Sequence, residues 1–206
     1  MSEIYNNFIS GKWVPGESGK TFKTINPANT DEVLGEFQNS SVEDLRKAIC
    51  SAKETFPAWR DLPAYTRGQI LFKAAKLIEE RIEELARVMT LEMGKSLIET
   101  RGEAKRSAQL FEWFGGEAKR FCGETVPSDK QRTFLYTIRV PLGVVALITP
   151  WNFPSAIPCW KLGPALVSGN TIILKPSSLS PLTCIKLTEI LTEAGLPPGV
   201  LNLVTG

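Results

Sequence analysis

Val144-Val-Ala-Leu-Ile-Thr149, Thr171-Ile-Ile-Leu174 and Val200-Leu-Asn-Leu-Val204 decide the fold. Each is a short apolar run, the pattern of a strand buried on both faces of a parallel sheet. Helix-sized segments separate them. One runs from about Pro158 to Ser168; the other opens at Ser180-Pro181, with proline at the first helical position, and stops at Gly195. Strand, helix, strand, helix, strand is the half-unit of a doubly wound α/β sheet.

Upstream the pattern is different. Asn7-Phe-Ile-Ser10, Thr21-Phe-Lys-Thr-Ile25 and Val33-Leu-Gly-Glu-Phe37 read as short extended segments, with Pro15-Gly16 and Asn26-Pro27 as turns between them. Ser41 and Asp44 form a helix-capping pair that opens a helix towards Phe56-Pro57. After Pro63, Ile70, Ala74, Leu77, Ile78, Ile82, Leu85, Val88 and Met89 recur at helical spacing and predict one long helix. A further helix covers about Ser96 to Phe114, and Thr133-Phe-Leu-Tyr-Thr-Ile-Arg139 alternates as a strand does.

The 206 residues are 43% hydrophobic and 22% charged, enough apolar surface to build a core. A net charge of +2 with interspersed signs gives no reason to expect nucleic acid as a partner. The longest apolar run, Leu142 to Ile148, is too short to cross a bilayer, and Met1 to Phe8 lacks the character of a signal peptide. Cys50, Cys122, Cys159 and Cys184 form no Cys-x-x-Cys pair, so the expectation is a cytoplasmic protein with reduced thiols and no metal. No histidine is present, which removes the Ser-His-Asp triad, the Cys-His pair and the histidine base from this chain acting alone.

In open α/β sheets, ligands bind beyond the carboxyl ends of the strands. The first two strands end at Thr149-Pro150-Trp151-Asn152 and Lys175-Pro176-Ser177-Ser178, which sets an aromatic plane, an amide and a cation on one rim. That set suits a nucleotide. The turn has no G-x-G-x-x-G, so phosphates are not held there in the usual glycine-rich way. Each residue also has a plainer reading: Asn152 as a helix cap, Trp151 as a packed aromatic, Lys175 as a solvated charge. Local pattern leaves both open. Cys159 reads as a small buried thiol.

Longer motifs then resemble a known family. Pro141-Leu-Gly-Val-Val-Ala-Leu-Ile-Thr-Pro-Trp-Asn-Phe-Pro154, Ala165-Leu-Val-Ser-Gly-Asn-Thr-Ile-Ile-Leu-Lys-Pro176 and Glu193-Ala-Gly-Leu-Pro-Pro-Gly-Val-Leu-Asn-Leu-Val-Thr-Gly206 are similar to aldehyde dehydrogenases, in that family's order. Asn26-Pro27, Trp59 and Glu92-Met-Gly-Lys95 agree, and the bacterial semialdehyde enzymes, such as those for 2-oxoglutarate semialdehyde, look most alike. The resemblance implies an incomplete aldehyde-dehydrogenase-like α/β fold: amino-terminal strands and helices, then part of a Rossmann-like sheet. Residues 1–206 would form the amino-terminal part of an NAD(P)-binding domain, with 133–139 in the family's oligomerisation element.

It also implies roles. Asn152 would donate to the oxyanion, Ile148, Thr149, Pro150 and Trp151 would line the cofactor's path, and Lys175 would bond the adenosine ribose. Ser178 stands where NAD-preferring relatives carry a ribose-binding glutamate, so NADP is tolerated beside NAD. The resemblance supplies no nucleophilic cysteine, general-base glutamate or catalytic domain within these residues. The chain alone is therefore expected to be inactive, with an aldehyde as substrate only in a complete enzyme. The resemblance implies one part of an oxidoreductase, truncated or split, expected to associate with a second half or with itself; the alternative is a non-catalytic module that binds a nucleotide or a partner.

Overall fold

The computed structural model describes residues 3–206. Met1 and Ser2, which begin the stretch read above as leaderless, lie outside the described residues. Five strands come first: β1 (Ile4–Tyr5), β2 (Asn7–Ile9), β3 (Lys12–Val14), β4 (Thr21–Asn26) and β5 (Asn29–Gln38). Four helices follow: α1 (Val42–Asp61), α2 (Ala64–Glu80), α3 (Ile82–Met93) and α4 (Leu97–Glu117). A short hairpin, β6 (Thr125–Val126) and β7 (Leu135–Tyr136), leads into the alternating unit β8 (Val144–Ile148), α5 (Ala156–Val167), β9 (Thr171–Lys175), α6 (Pro181–Glu193) and β10 (Leu201–Leu203).

The alternating unit is as the sequence reading describes it. β8, β9 and β10 pair in parallel, Val144 opposite Thr171 and Leu201 opposite Ile172. The full order is β3-β2-β10-β9-β8, because the β2–β3 hairpin pairs antiparallel with β10, Phe8 opposite Leu203. That closure has no local signal in the sequence. It covers one edge of the sheet and leaves β8 as the other.

Burial on both faces holds for β9 and β10 but not for β8. Ala146 and Ile148 are exposed, since β8 is the edge strand. The other corrections are local. α1 runs past Pro57 to Asp61, its last turn anchored by the buried Trp59. The long helix expected after Pro63 is two helices that bend at Arg81, whose N–H donates to the Ile78 carbonyl at 3.1 Å and whose guanidinium pairs with Glu193 of α6. The bend lets Ile78 and Leu85 both bury completely in the core shared with Met89, Phe111, Leu162 and Leu187. Of the strand expected at 133–139, Leu135–Tyr136 pairs with β6, and the Thr137 N–H donates to the Glu124 carbonyl at 2.8 Å just beyond it. Phe134, Ile138 and Val140 are left exposed.

The Ser41–Asp44 capping box is formed, and Ser96 with Glu99 builds a second one on α4. The helices of the alternating unit are capped differently. Ser155 and Ser180 give their helices no side-chain cap. Buried glutamates from the neighbouring helical layer do so instead. Glu92 on α3 accepts from the N–H of Leu182 at 2.5 Å, from the N–H of Thr183 at 2.9 Å and from the Thr183 hydroxyl at 2.6 Å. Glu103 on α4 accepts from the N–H groups of Ser155 and Ala156 at 2.9 and 3.2 Å. Two orphan donors of each helix are thereby satisfied, and each carboxylate lies at the positive end of a dipole.

Burial pushes the Glu92 carboxyl up to about 7, while its three donors pull the other way. A carboxyl raised in the fold binds its proton more tightly there than in the unfolded chain. Its contribution is therefore full below the ordinary glutamate value and is lost as pH rises towards 7. In urea titrations from pH 4.5 to 8, Glu92→Gln should flatten the pH dependence of unfolding by about 3 kcal/mol, at about 1.4 kcal/mol per pH unit. Parallel curves for the two proteins would refute this.

Candidate functional site

The rim lies beyond the carboxyl ends of β8 and β9. Pairing continues one residue past β8, with the Thr149 N–H donating to the Lys175 carbonyl at 3.2 Å, and Pro150 and Pro176 then end both strands. Proline disfavours helix at the residue before it, so Thr149 and Lys175 stay extended and the turn 150–155 is thrown out over the sheet.

Here the plainer readings fail for two residues. Asn152 does not cap α5, a task Glu103 performs; among the described residues its side-chain amide makes no hydrogen bond, and it is exposed. Trp151 is not packed away but 49% exposed. Lys175 is half-buried, and among the described residues its ammonium bonds only the adjacent Pro176 carbonyl, at 3.2 Å.

What holds Asn152 is its backbone. Lys95 donates to the Asn152 carbonyl at 2.7 Å and to Glu103 at 2.9 Å, and its ammonium lies 3.5 Å from the centroid of the Phe153 ring. Gly94 makes this possible. It ends α3 at φ +77°, a conformation glycine adopts without strain, and so redirects the chain to bring Lys95 across to the turn. Glu103, with a side chain 2% exposed, thus links the start of α5, Lys95 and the Asn152 backbone in one network. Sequence reasoning missed Lys95 and Glu103 as site residues. The only signal was Lys95 within Glu92-Met-Gly-Lys95.

The rim residues fall into separate depressions. Ile148 and Lys175 line one of about 330 Å³, with Ile173, Val204 and Thr205. Trp151 and Ser178 line a second of about 460 Å³, with Thr24 and Glu92. Phe153 and Lys95 line a third of about 470 Å³, with Ala156 and Trp160. Thr149 is buried beneath the turn and Pro150 is exposed. Lys175 and Ser178, three residues apart in sequence, open onto different depressions.

The first depression suits the nucleoside end of a dinucleotide: apolar walls for a flat ring and one ammonium at the mouth. The phosphates meet a different situation. A glycine-rich fold binds them at the N-terminus of the helix after the first strand. Here those N–H groups are occupied by Glu103, and no glycine of positive φ follows β8 before α5. The missing glycine motif thus has a structural counterpart: the protein's own carboxylate fills the anion site.

The thiols give no nucleophile at this rim. Cys159 and Cys184 are fully buried, and burial raises both thiols well above their ordinary range. Cys50 and Cys122 are exposed, the one on α1 and the other after α4, and neither lines the three depressions. Among the described residues no group of three or more His, Cys, Asp or Glu side chains is arranged to hold a metal, and no helix is long and apolar enough to cross a membrane.

A parallel sheet with an exposed amide and an apolar depression on its carboxyl rim is the arrangement of α/β proteins that bind ligands beyond their strand ends. Comparison with known proteins identifies the family. The model of the aldehyde dehydrogenase family matches residues 13–206, and the chain belongs to that family. It is 48% identical over 202 residues to an alpha-ketoglutaric semialdehyde dehydrogenase of Bacillus subtilis, a match that covers 98% of this chain and 41% of that protein. Among solved structures, an NADP-dependent enzyme of Escherichia coli superposes with a TM-score of 0.96 at 41% identity, over 100% of this chain and 42% of that one. A structure of PnpE in complex with nicotinamide adenine dinucleotide gives a TM-score of 0.95 at 39% identity, again over 100% and 42%. The chain therefore spans about two fifths of the length of these relatives.

Proposed function

We propose that this chain is the amino-terminal part of an NAD(P)-dependent dehydrogenase that oxidises a semialdehyde, an aldehyde with a carboxylate at its far end, to the dicarboxylic acid. The free Asn152 amide on a turn fixed by Lys95 and Glu103 carries this reading. The amide would donate to the oxygen of the aldehyde as it gains negative charge, and the fixed backbone keeps that donor in place before the reaction begins. Ile148, Thr149, Pro150 and Trp151 would border the cofactor, and Lys175 would bond its adenosine ribose. When bound, NAD(P)⁺ supplies the hydride acceptor. The thiolate that attacks the carbonyl and the base that activates water come from outside these residues. Residues 133–139, with Phe134 and Ile138 exposed, would join subunit assembly or meet the missing half. Four free cysteines fit a cytoplasmic protein.

In this reading the ribose bonded by Lys175 turns its 2′-oxygen across the rim towards Ser178, which then sets the cofactor preference although it lines the neighbouring depression. Ser178 is exposed and carries no charge to repel a 2′-phosphate. Coexpressed with the carboxyl-terminal remainder of the Bacillus subtilis relative, the chain should use NADP⁺ at least as well as NAD⁺, judged by kcat/KM. Ser178→Glu should move that ratio towards NAD⁺ by about tenfold or more, because a carboxylate would then face the phosphate. A strong NAD⁺ preference in the parent protein, or no response to Ser178→Glu, would remove Ser178 from the cofactor site.

A further inference from the structure

We propose that Arg106 binds the carboxylate end of the substrate, with the Trp160 ring holding its guanidinium in position. The inference rests on the semialdehyde reading and deepens it by naming the residue that would select for the second charge.

Arg106 lies on the exposed side of α4, facing α5. Its guanidinium carbon is 5.6 Å from the centroid of the Trp160 ring, and among the described residues it makes no hydrogen bond or ion pair. The neighbouring cations are already engaged: Lys95 with Glu103, Arg101 with Glu83, Arg120 with Glu117. An arginine drawn over an aromatic face by a cation–π contact keeps its fork of N–H donors free. That is the geometry for two-point recognition of a carboxylate.

Its place relative to Asn152 fits a short substrate. Arg106 and Trp160 wall two adjoining depressions. The inner one, about 470 Å³, is lined by Lys95, Phe153 and Ala156, and Lys95 bonds the Asn152 carbonyl. The outer one, about 600 Å³, continues past Trp113 and Phe114. Ala156 and Trp160 stand one turn apart on α5, about 6 Å along its axis. Asn152 itself lines neither depression, but its neighbour Phe153 lines the inner one, so an aldehyde reaching the Asn152 amide from there would run along Phe153 and Ala156 and bring its far end to Arg106. The acids nearby restrict the anion to this spot. Glu99, bound to Ser96 as the cap of α4, and Glu103, paired with Lys95, both line the inner depression, and Glu112 lines the outer one, where it disfavours an anion placed deeper. An aldehyde without the carboxylate gains nothing from Arg106.

The test uses glutarate, an unreactive dicarboxylate, and glutaramide, its neutral counterpart, titrated into the chain while the Trp160 indole N–H is followed by NMR. Trp160→Phe assigns that signal. We expect a saturable shift with glutarate, little shift with glutaramide, and at least about tenfold weaker glutarate binding in Arg106→Met, with Arg106→Lys between the two. NADP⁺ binding by Arg106→Met should be unchanged. A second measurement uses the coexpressed, completed enzyme, where Arg106→Met should raise KM for glutaric semialdehyde about tenfold and leave kcat/KM for pentanal within about twofold. No glutarate shift, an equal shift with glutaramide, or equal weakening by Arg120→Met would overturn the inference. Loss of NADP⁺ binding in the parent chain with the Arg106-dependent shift intact would overturn the cofactor reading instead.

Discussion

Purified alone, the 206-residue chain should oxidise no aldehyde with NAD⁺ or NADP⁺. Oxidation through a covalent acyl intermediate needs a thiolate within reach of the Asn152 amide, and nothing here supplies one. Cys159 and Cys184 are sealed in the core with their thiols shifted away from ionisation, and the two exposed cysteines are absent from the rim depressions. No histidine is available as a base. Loss of a catalytic nucleophile costs on the order of 10⁶ in kcat. Completion with the carboxyl-terminal remainder of a relative should restore turnover. In that complex Asn152→Ala should lower kcat by about 10²- to 10³-fold, the usual effect of removing one oxyanion donor. Steady NAD(P)H production by the chain alone, abolished by Asn152→Ala, would show that the nucleophile lies within these residues after all.

Glu103→Ala should destabilise the fold by about 3–5 kcal/mol, the cost of breaking a buried charge pair from one side. Three groups lose their acceptor at once: the Lys95 ammonium and the N–H groups of Ser155 and Ala156. At this chain length such a loss lowers Tm by about 10 °C. Glu103→Gln keeps an acceptor for the helix and should retain much of the stability. The turn should respond as well, because Lys95 without Glu103 no longer has a fixed position from which to hold the Asn152 carbonyl. Hydrogen exchange at residues 150–156 should therefore rise more than exchange in β9. A melting curve within about 2 °C of the parent would mean that Glu103 is a minor cap.

The features legible in the sequence are those whose cause is local. The β8–α5–β9–α6–β10 unit declares itself because each strand is an apolar run and each boundary carries its own signal, such as Pro181 at the start of α6 and Gly195, at φ +97°, after its end. The Ser41–Asp44 box is visible for the same reason. The features hidden from it depend on distant partners. Glu92 and Glu103 look like ordinary acids on amphipathic helices, yet Glu92 caps a helix that starts about ninety residues later. Arg106 reads as a solvated charge until α5 brings Trp160 beneath it. The bend at Arg81 is hidden because hydrophobic spacing continues through it without a break. The candidate rim reads as a set of residues at two strand ends, a placement that follows from the apolar runs and the prolines after them. Its division into separate depressions depends on the surrounding helices and could not be read.

The antiparallel pairing of β2 with β10 also sets an order of events at the ribosome. Phe8 is made about 195 residues before Leu203. At about 5–20 residues per second, the β2–β3 hairpin waits on the order of 10–40 s for its neighbour. Throughout that interval its Phe8 and Trp13 rings, 4.8 Å apart in the finished fold, have no sheet to join. The α1–α4 layer can condense meanwhile from contacts close in sequence, which form early because their loops are cheap to close. The nascent chain is therefore most vulnerable to holdase chaperones and to proteases at its amino-terminal hairpin, and that exposure ends only with the synthesis of β10.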